Sequence, residues 1–173
     1  RISGTIISVS NIFPKKIDLF LKSNIFFSII GNAKTPTNIN IGILRIFSTF
    51  GPGLKRQVIF DTIRKIKTKS NFKMLGTGEE KRDFGYIDDQ IKSIISLSKK
   101  VKKPRGDIYN IASGKAYSIN DIVKRLVKIS NKKVLYSFTQ KSRSFDIKNY
   151  IADKSKLNKT IGFKKCTDLN KAL

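Results

Sequence analysis

Short apolar runs that end at glycines alternate along this chain with stretches of helical spacing, and that alternation narrows the fold to a mixed α/β one. Residues 25–30 (IFFSII) run into Gly31, and 41–47 (IGILRIF) are closed by Gly51-Pro52-Gly53. Both predict buried strands that end in turns. Val58, Ile59, Ile63 and Ile66 then recur at helical spacing, with cations between them. A brief strand at 72–75 leads into Gly76-Thr77-Gly78. The helix after it has Ile91, Ile94, Ile95 and Leu97 on one face, and Asp88 or Asp89 is its expected cap. Residues 107–111 read as a strand followed by the turn Ser113-Gly114-Lys115. Ser118 predicts an N-cap with Asp121 in the first turn, and Ile122, Val123, Leu126, Val127 and Ile129 form the expected buried stripe. Residues 134–138 predict a further strand, and a short helix follows 153–156.

A chain of 173 residues with 39% apolar content is long enough for a core and is not disordered by composition. Its 36 Lys and Arg against 12 Asp and Glu leave a net charge of +24, which attracts phosphates, nucleic acid or anionic membrane. The lysines, however, are scattered through every segment, and no single helix collects them. The charge therefore reads as a property of overall composition, and nucleic acid is not an expected partner. With only Cys166 and no histidine, neither an internal disulfide nor a Cys/His zinc site can form. No carboxylate cluster suggests a metal site. No apolar run approaches the ~18–20 residues that cross a bilayer, so no membrane partner is expected and a cytoplasmic location is.

Four segments carry a resemblance: LRIFSTFGPG at 44–53, GTGEEKRDFGYIDD at 76–89, DIYNIASGKAYSINDIV at 107–123, and RSFD with IADKSKLNKTIGF closing at 163. In this order and spacing they resemble the NAD-dependent epimerase/dehydratase family of the extended short-chain dehydrogenase/reductases. The likeness is to the C-terminal portion of sugar-nucleotide enzymes of the UDP-glucose 4-epimerase kind. The fold this implies is α/β, a truncated Rossmann-like remnant plus a small α/β substrate-binding domain. Residues 1–50 would be the remnant of the NAD-binding domain, and 51–173 the sugar-nucleotide-binding region. Less closely, residues 25–38 resemble the fifth strand of the cofactor domain and the loop after it. That loop supplies a catalytic hydroxyl in the family, for which Ser28 is the nearby candidate. A small residue at a strand end explains Ser28 equally well.

The resemblance implies that Arg82 contacts the diphosphate of a bound nucleoside diphosphate sugar, with Asp83 orienting it. Arginine suits the role because its planar fork donates two hydrogen bonds to phosphate and stays charged. A surface ion pair is the competing reading. Arg143 is the second phosphate candidate, three residues before Asp146 as in the family's loop, although Ser144 and Phe145 replace its usual Pro and Gly. Ser48 stands where the family often has an Asn that bonds substrate. Lys55 and Arg56 face either the anion or solvent, and Tyr86 is expected to pack.

Two pieces of the family's chemistry have no counterpart in these residues. No Gly-rich phosphate loop occurs, since Gly76-Thr77-Gly78 is followed by two acids that repel a pyrophosphate and is read as a turn. A Tyr and a Lys one helical turn apart supply the family's general base. Here only Tyr150 and Lys154 have that spacing, and they fall in a late segment outside the catalytic helix. Residues 31–41 are too few to contain that helix. NAD, the cofactor of the intact family, is therefore not expected to bind this chain alone, and whether the chain is an enzyme stays open. The readings left are a truncated epimerase/dehydratase inactive alone, a non-catalytic sugar-nucleotide-binding subunit, or a basic nucleic-acid-binding module. A sheet short of its neighbours exposes apolar surface. A companion polypeptide or a homodimer is expected to cover it.

Overall fold

The computed structural model describes residues 27–30, 41–101, 105–141, 147–162 and 165–173. Three strands, β1 (Phe27–Ile30), β2 (Ile41–Ile46) and β7 (Arg105–Ile111), form a sheet in the order β1-β2-β7. β2 and β7 run parallel with Leu44 opposite Tyr109. Helices α2 (Ile87–Lys100) and α4 (Ser155–Ile161) cover one face of it. There Leu44, Ile94, Leu97, Tyr109, Ile111 and Leu157 form a buried cluster. β1 runs antiparallel to β2. The reason is length. Residues 31–40 separate the two strands, and a parallel return needs a crossover of a dozen or more residues.

The second core lies between α1 (Gln57–Thr68), α3 (Ile119–Ser130) and a two-stranded parallel ribbon, β4 (Asn71–Met74) with β9 (Leu135–Phe138). Phe72 and Met74 alternate with exposed Asn71 and Lys73, so one ribbon face meets Ile59, Ile66, Ile122 and Leu126. Between the cores run the short strands β3 (Thr49–Phe50), β5 (Lys81–Asp83), β6 (Gly85–Tyr86), β8 (Ala116–Ser118) and β10 (Asn149–Tyr150), and a last turn of helix, α5 (Leu169–Ala172), closes the chain. The first core draws on β7, α2 and α4 from beyond residue 50 as well as on β2.

Local signals explain the helix ends in one case and mislead in another. Ser118 caps α3 as expected, its hydroxyl accepting from the Asp121 N–H while Asp121 accepts from the Ser118 N–H. The buried stripe falls short of Ile129, which is half exposed in the last turn. At α2 the N-cap is Tyr86, with no side-chain cap, and Asp88 and Asp89 lie inside the first turn. Asp89 is drawn away by tertiary partners, accepting from the N–H and hydroxyl of Thr167 at 2.6 and 3.0 Å.

Candidate functional site

The turn before β5 is built by Gly76 and Gly78, both at positive φ (92° and 86°), a conformation only glycine enters freely. It folds around the buried carboxylate of Glu80, which accepts from the backbone N–H of Thr77 and of Gly78 at 2.9 Å each and from the Thr77 hydroxyl at 3.2 Å. Its N–H groups thus already hold an anion, supplied by the chain itself. Burial opposes the Glu80 charge, but the hydrogen bonds from Thr77 and Gly78 outweigh it and hold the carboxyl below its ordinary pKa. A folded-state pKa below the unfolded one contributes stability that is present above the unfolded value, near 4.5, and is lost as pH falls through the folded one. Urea melts between neutral and acid pH should therefore show midpoints falling with acid, and Glu80→Gln should flatten that fall. An unchanged acid slope in the variant would refute the role given to Glu80.

β5 places Arg82 and Asp83 on opposite faces, as successive strand residues must be. Asp83 was expected to orient Arg82. Instead its carboxylate, fully buried, accepts from the Ser113 N–H and hydroxyl (2.8 and 2.6 Å), the Gly114 N–H (2.9 Å) and the Ala152 N–H (3.3 Å). It clamps the turn after β7 to the segment after β10. Arg82 turns the other way, and its Nη1 donates to the carbonyls of Lys81 and Ile147 at 2.9 and 2.5 Å.

Arg82 stands in the wall of a cleft of about 540 Å³. Gln57 and Val58, at the N-terminus of α1, form part of the same wall, with Arg64, Lys65 and Lys141. Arg56 is the N-cap of α1, in extended backbone, its side chain making no capping hydrogen bond to the helix, and no acid occupies the first turn. The positive end of a twelve-residue helix dipole and its N–H groups therefore border the cleft. Two carboxylates share the wall. Glu80 is engaged by its own turn, and Asp61 lies 3.8 Å from Arg64 in an exposed pair worth little. Met74 and Leu75 supply an apolar side, and Leu75 is 68% exposed there.

The other expected site residues are not gathered here. Ser48 sits between β2 and β3, half-buried, its carbonyl accepting from the Gly85 N–H, and does not line the cleft. Ser28 lies in β1, opposite Leu44 in the register. Arg143 lies outside the described residues, though Lys141 lines the cleft and the Ile147 carbonyl receives Arg82. Tyr150 belongs to β10 and stacks on Phe47 at 4.8 Å, while Lys154 caps α4, so the two do not share a helix. Tyr86 packs against Phe50 at 5.7 Å. Sequence reasoning had Lys55 and Arg56 at this helix start, facing either the anion or solvent, but gave the backbone of the α1 N-terminus no part. The Gly51-Pro52-Gly53 turn followed by helical spacing from Val58 was the signal that could have located it, Gly53 adopting φ +87° to close that turn. A second cleft, of about 490 Å³, lies around Gln90, Ser113 and Lys154 and contains neither Arg82 nor Ser48. Among the described residues no group of His, Cys, Asp and Glu could hold a metal ion, and no helix is long and apolar enough to cross a membrane.

The domain is a mixed α/β frame with a cationic cleft beside a helix N-terminus. The model of the NAD dependent epimerase/dehydratase family matches residues 25–112, and the chain belongs to that family. It is 33% identical over 128 residues to a UDP-glucuronate 4-epimerase of Thermodesulfobacterium geofontis, covering 72% of this chain and 38% of that one. It is also 34% identical over 89 residues to a UDP-glucose 4-epimerase of Bacillus subtilis, covering 51% and 25%. The structure of the UDP-glucuronic acid 4-epimerase of Bacillus cereus, in complex with UDP-glucuronic acid and NAD, superposes with a TM-score of 0.67 at 29% identity, covering 75% of this chain and 41% of that one. The chain thus spans well under half the length of these relatives.

Proposed function

We propose that this chain binds the diphosphate of a nucleoside diphosphate sugar in the Arg82 cleft and, by itself, does not turn the sugar over. The observation that carries the reading is the pairing of Arg82 with the acid-free N-terminal turn of α1 in one cleft wall. One donates charge-assisted hydrogen bonds and the other a fixed positive dipole, the two devices that hold phosphate. Met74 and Leu75 supply the apolar side on which a planar base packs. Arg143, Ser48 and Asp83 enter the same reading in different capacities. The first is a second cation in the segment between Lys141 and Ile147, the second a hydroxyl outside the cleft wall, the third a positioning residue for the domain.

NAD is bound in the Bacillus cereus structure. The described residues of this chain do not fit it. The Gly-Thr-Gly turn has its N–H groups occupied by Glu80, and Tyr150 and Lys154 lie on separate elements. The reading therefore assigns the chain no hydride or proton transfer. A companion polypeptide or a second copy would cover the open face of the β1-β2-β7 sheet, where the register partners Ile43 and Ile108 lie and Ile108 is exposed.

Calorimetric titration of the full chain tests the proposal. UDP-glucuronic acid or UDP-glucose is expected to bind, NAD is not, and Arg82→Ala should weaken the sugar nucleotide at least about tenfold, the loss of one charge-assisted contact. Arg82→Lys should recover only part of it, a point charge lacking the fork. No heat with either sugar nucleotide, or equal affinity in a folded Arg82→Ala, would sink the reading.

A further inference from the structure

The chain from Thr62 to Gly78 contains no Asp or Glu, and neither does the stretch from Ile122 to Phe145. In sequence these stretches are far apart, and the lysines within them look dispersed. The fold brings them together. α1 packs on α3, and β4 pairs with β9 from Asn71–Leu135 to Met74–Phe138. The Lys132 ammonium donates to the Lys67 carbonyl at 3.4 Å, and the Leu135 N–H to the Ser70 carbonyl at 2.9 Å. Because the strands are parallel, the C-terminal ends of both helices fall at one end of the molecule. Their acids, Asp61 and Asp121, sit near the opposite ends. Lys67, Lys69, Lys73, Lys132 and Lys133 are all exposed on this end and its ribbon.

The ribbon also sorts its apolar groups. Phe72, Met74, Tyr136 and Phe138 turn toward the core, while Asn71, Lys73, Leu135 and Ser137 face solvent. Leu135 is 74% exposed, and Ile129, in the last turn of α3, is 49% exposed. We propose that this end of the molecule docks on an anionic lipid surface, its lysines among the headgroups and Leu135 with Ile129 entering the acyl boundary. Lysines around exposed aliphatic side chains are the composition by which peripheral proteins hold such a surface. A nucleic acid suits it less well, since the ribbon's rings are turned inward and leave no platform for stacked bases. The sugar-nucleotide reading is not used in this inference, and Arg82 takes no part in it.

Vesicle co-sedimentation of the full chain tests it. Vesicles containing about a third phosphatidylglycerol should bind the protein at least about tenfold more strongly than pure phosphatidylcholine at ~0.1 M NaCl, and most of the difference should vanish at ~0.5 M. Lys132→Glu with Lys133→Glu should remove that preference, whereas Lys99→Glu with Lys159→Glu, exposed lysines of α2 and α4, should change binding less than about threefold. Leu135→Ser should weaken binding several-fold while leaving the salt dependence in place. Circular dichroism checks that each variant is folded. Equal losses from the two lysine pairs would overturn the proposal, since net charge alone would then suffice. So would salt-dependent binding of a DNA duplex of about 20 base pairs with none to the vesicles.

Discussion

Replacing Asp83 by alanine is expected to cost about 4 kcal/mol of stability, read as a fall in the urea midpoint at unchanged slope. The carboxylate is fully buried and receives three backbone N–H groups and one hydroxyl. Alanine would leave the Ser113, Gly114 and Ala152 amides without their acceptor, each a penalty of up to about 1–3 kcal/mol before relaxation, largest at buried Ala152 and least at exposed Gly114. Against a typical total of roughly 5–15 kcal/mol, that is enough to leave much of the chain unfolded at modest denaturant. Asp83→Asn should recover part of the loss, since the amide keeps one acceptor oxygen but sets an NH₂ against another donor. A loss below about 1 kcal/mol in the alanine variant would show that the clamp is solvated or dispensable.

Gly85→Ala should cost about 3 kcal/mol for a different reason. A Cβ at Gly85 would stand 2.0 Å from Gln90 Nε2 and 2.8 Å from its Cδ. Gln90 cannot simply swing aside, because it is 3% exposed and its amide ties Thr49 of β3 and Phe47 to the end of β7. It accepts from the Thr49 hydroxyl at 2.6 Å and donates to the carbonyl of Phe47 at 3.0 Å, with that of Ile111 at 3.5 Å. Displacing it combines overpacking with an unpartnered buried amide. The double variant Gly85→Ala with Gln90→Ala should cost clearly less than the sum of the single ones, because the second change removes the clash. Strict additivity in thermal melts would rule this account out.

Much of the fold was legible in the chain because its signals are local. The Ser118–Asp121 capping box and the alternation of Asn71, Phe72, Lys73 and Met74 each act within a few residues, and the elements form where those patterns stand. Family membership was legible for a related reason: four segments in order survive as chemistry even where single residues change. The site was less so. Arg82 lines a cleft, but Asp83 was paired with it on chain proximity, and the backbone of the α1 N-terminus was given no part, beside Lys55 and Arg56, because its contribution is N–H and dipole rather than a distinctive side chain.

The sequence by itself determined which stretches become strand or helix, and that a fixed cation stands next to a fixed anion in β5. It also contained the two long stretches without an acid. Only the tertiary structure decided what these features do. A strand turns successive side chains to opposite faces, so Arg82 faces the cleft while Asp83 enters the interior and becomes a clamp. Parallel pairing of β4 with β9 turned dispersed lysines into one charged end, and the short span from β1 to β2 made an antiparallel edge. Each of these outcomes depends on which distant segment lies alongside, a choice made by burial across the whole chain and not by any window of it.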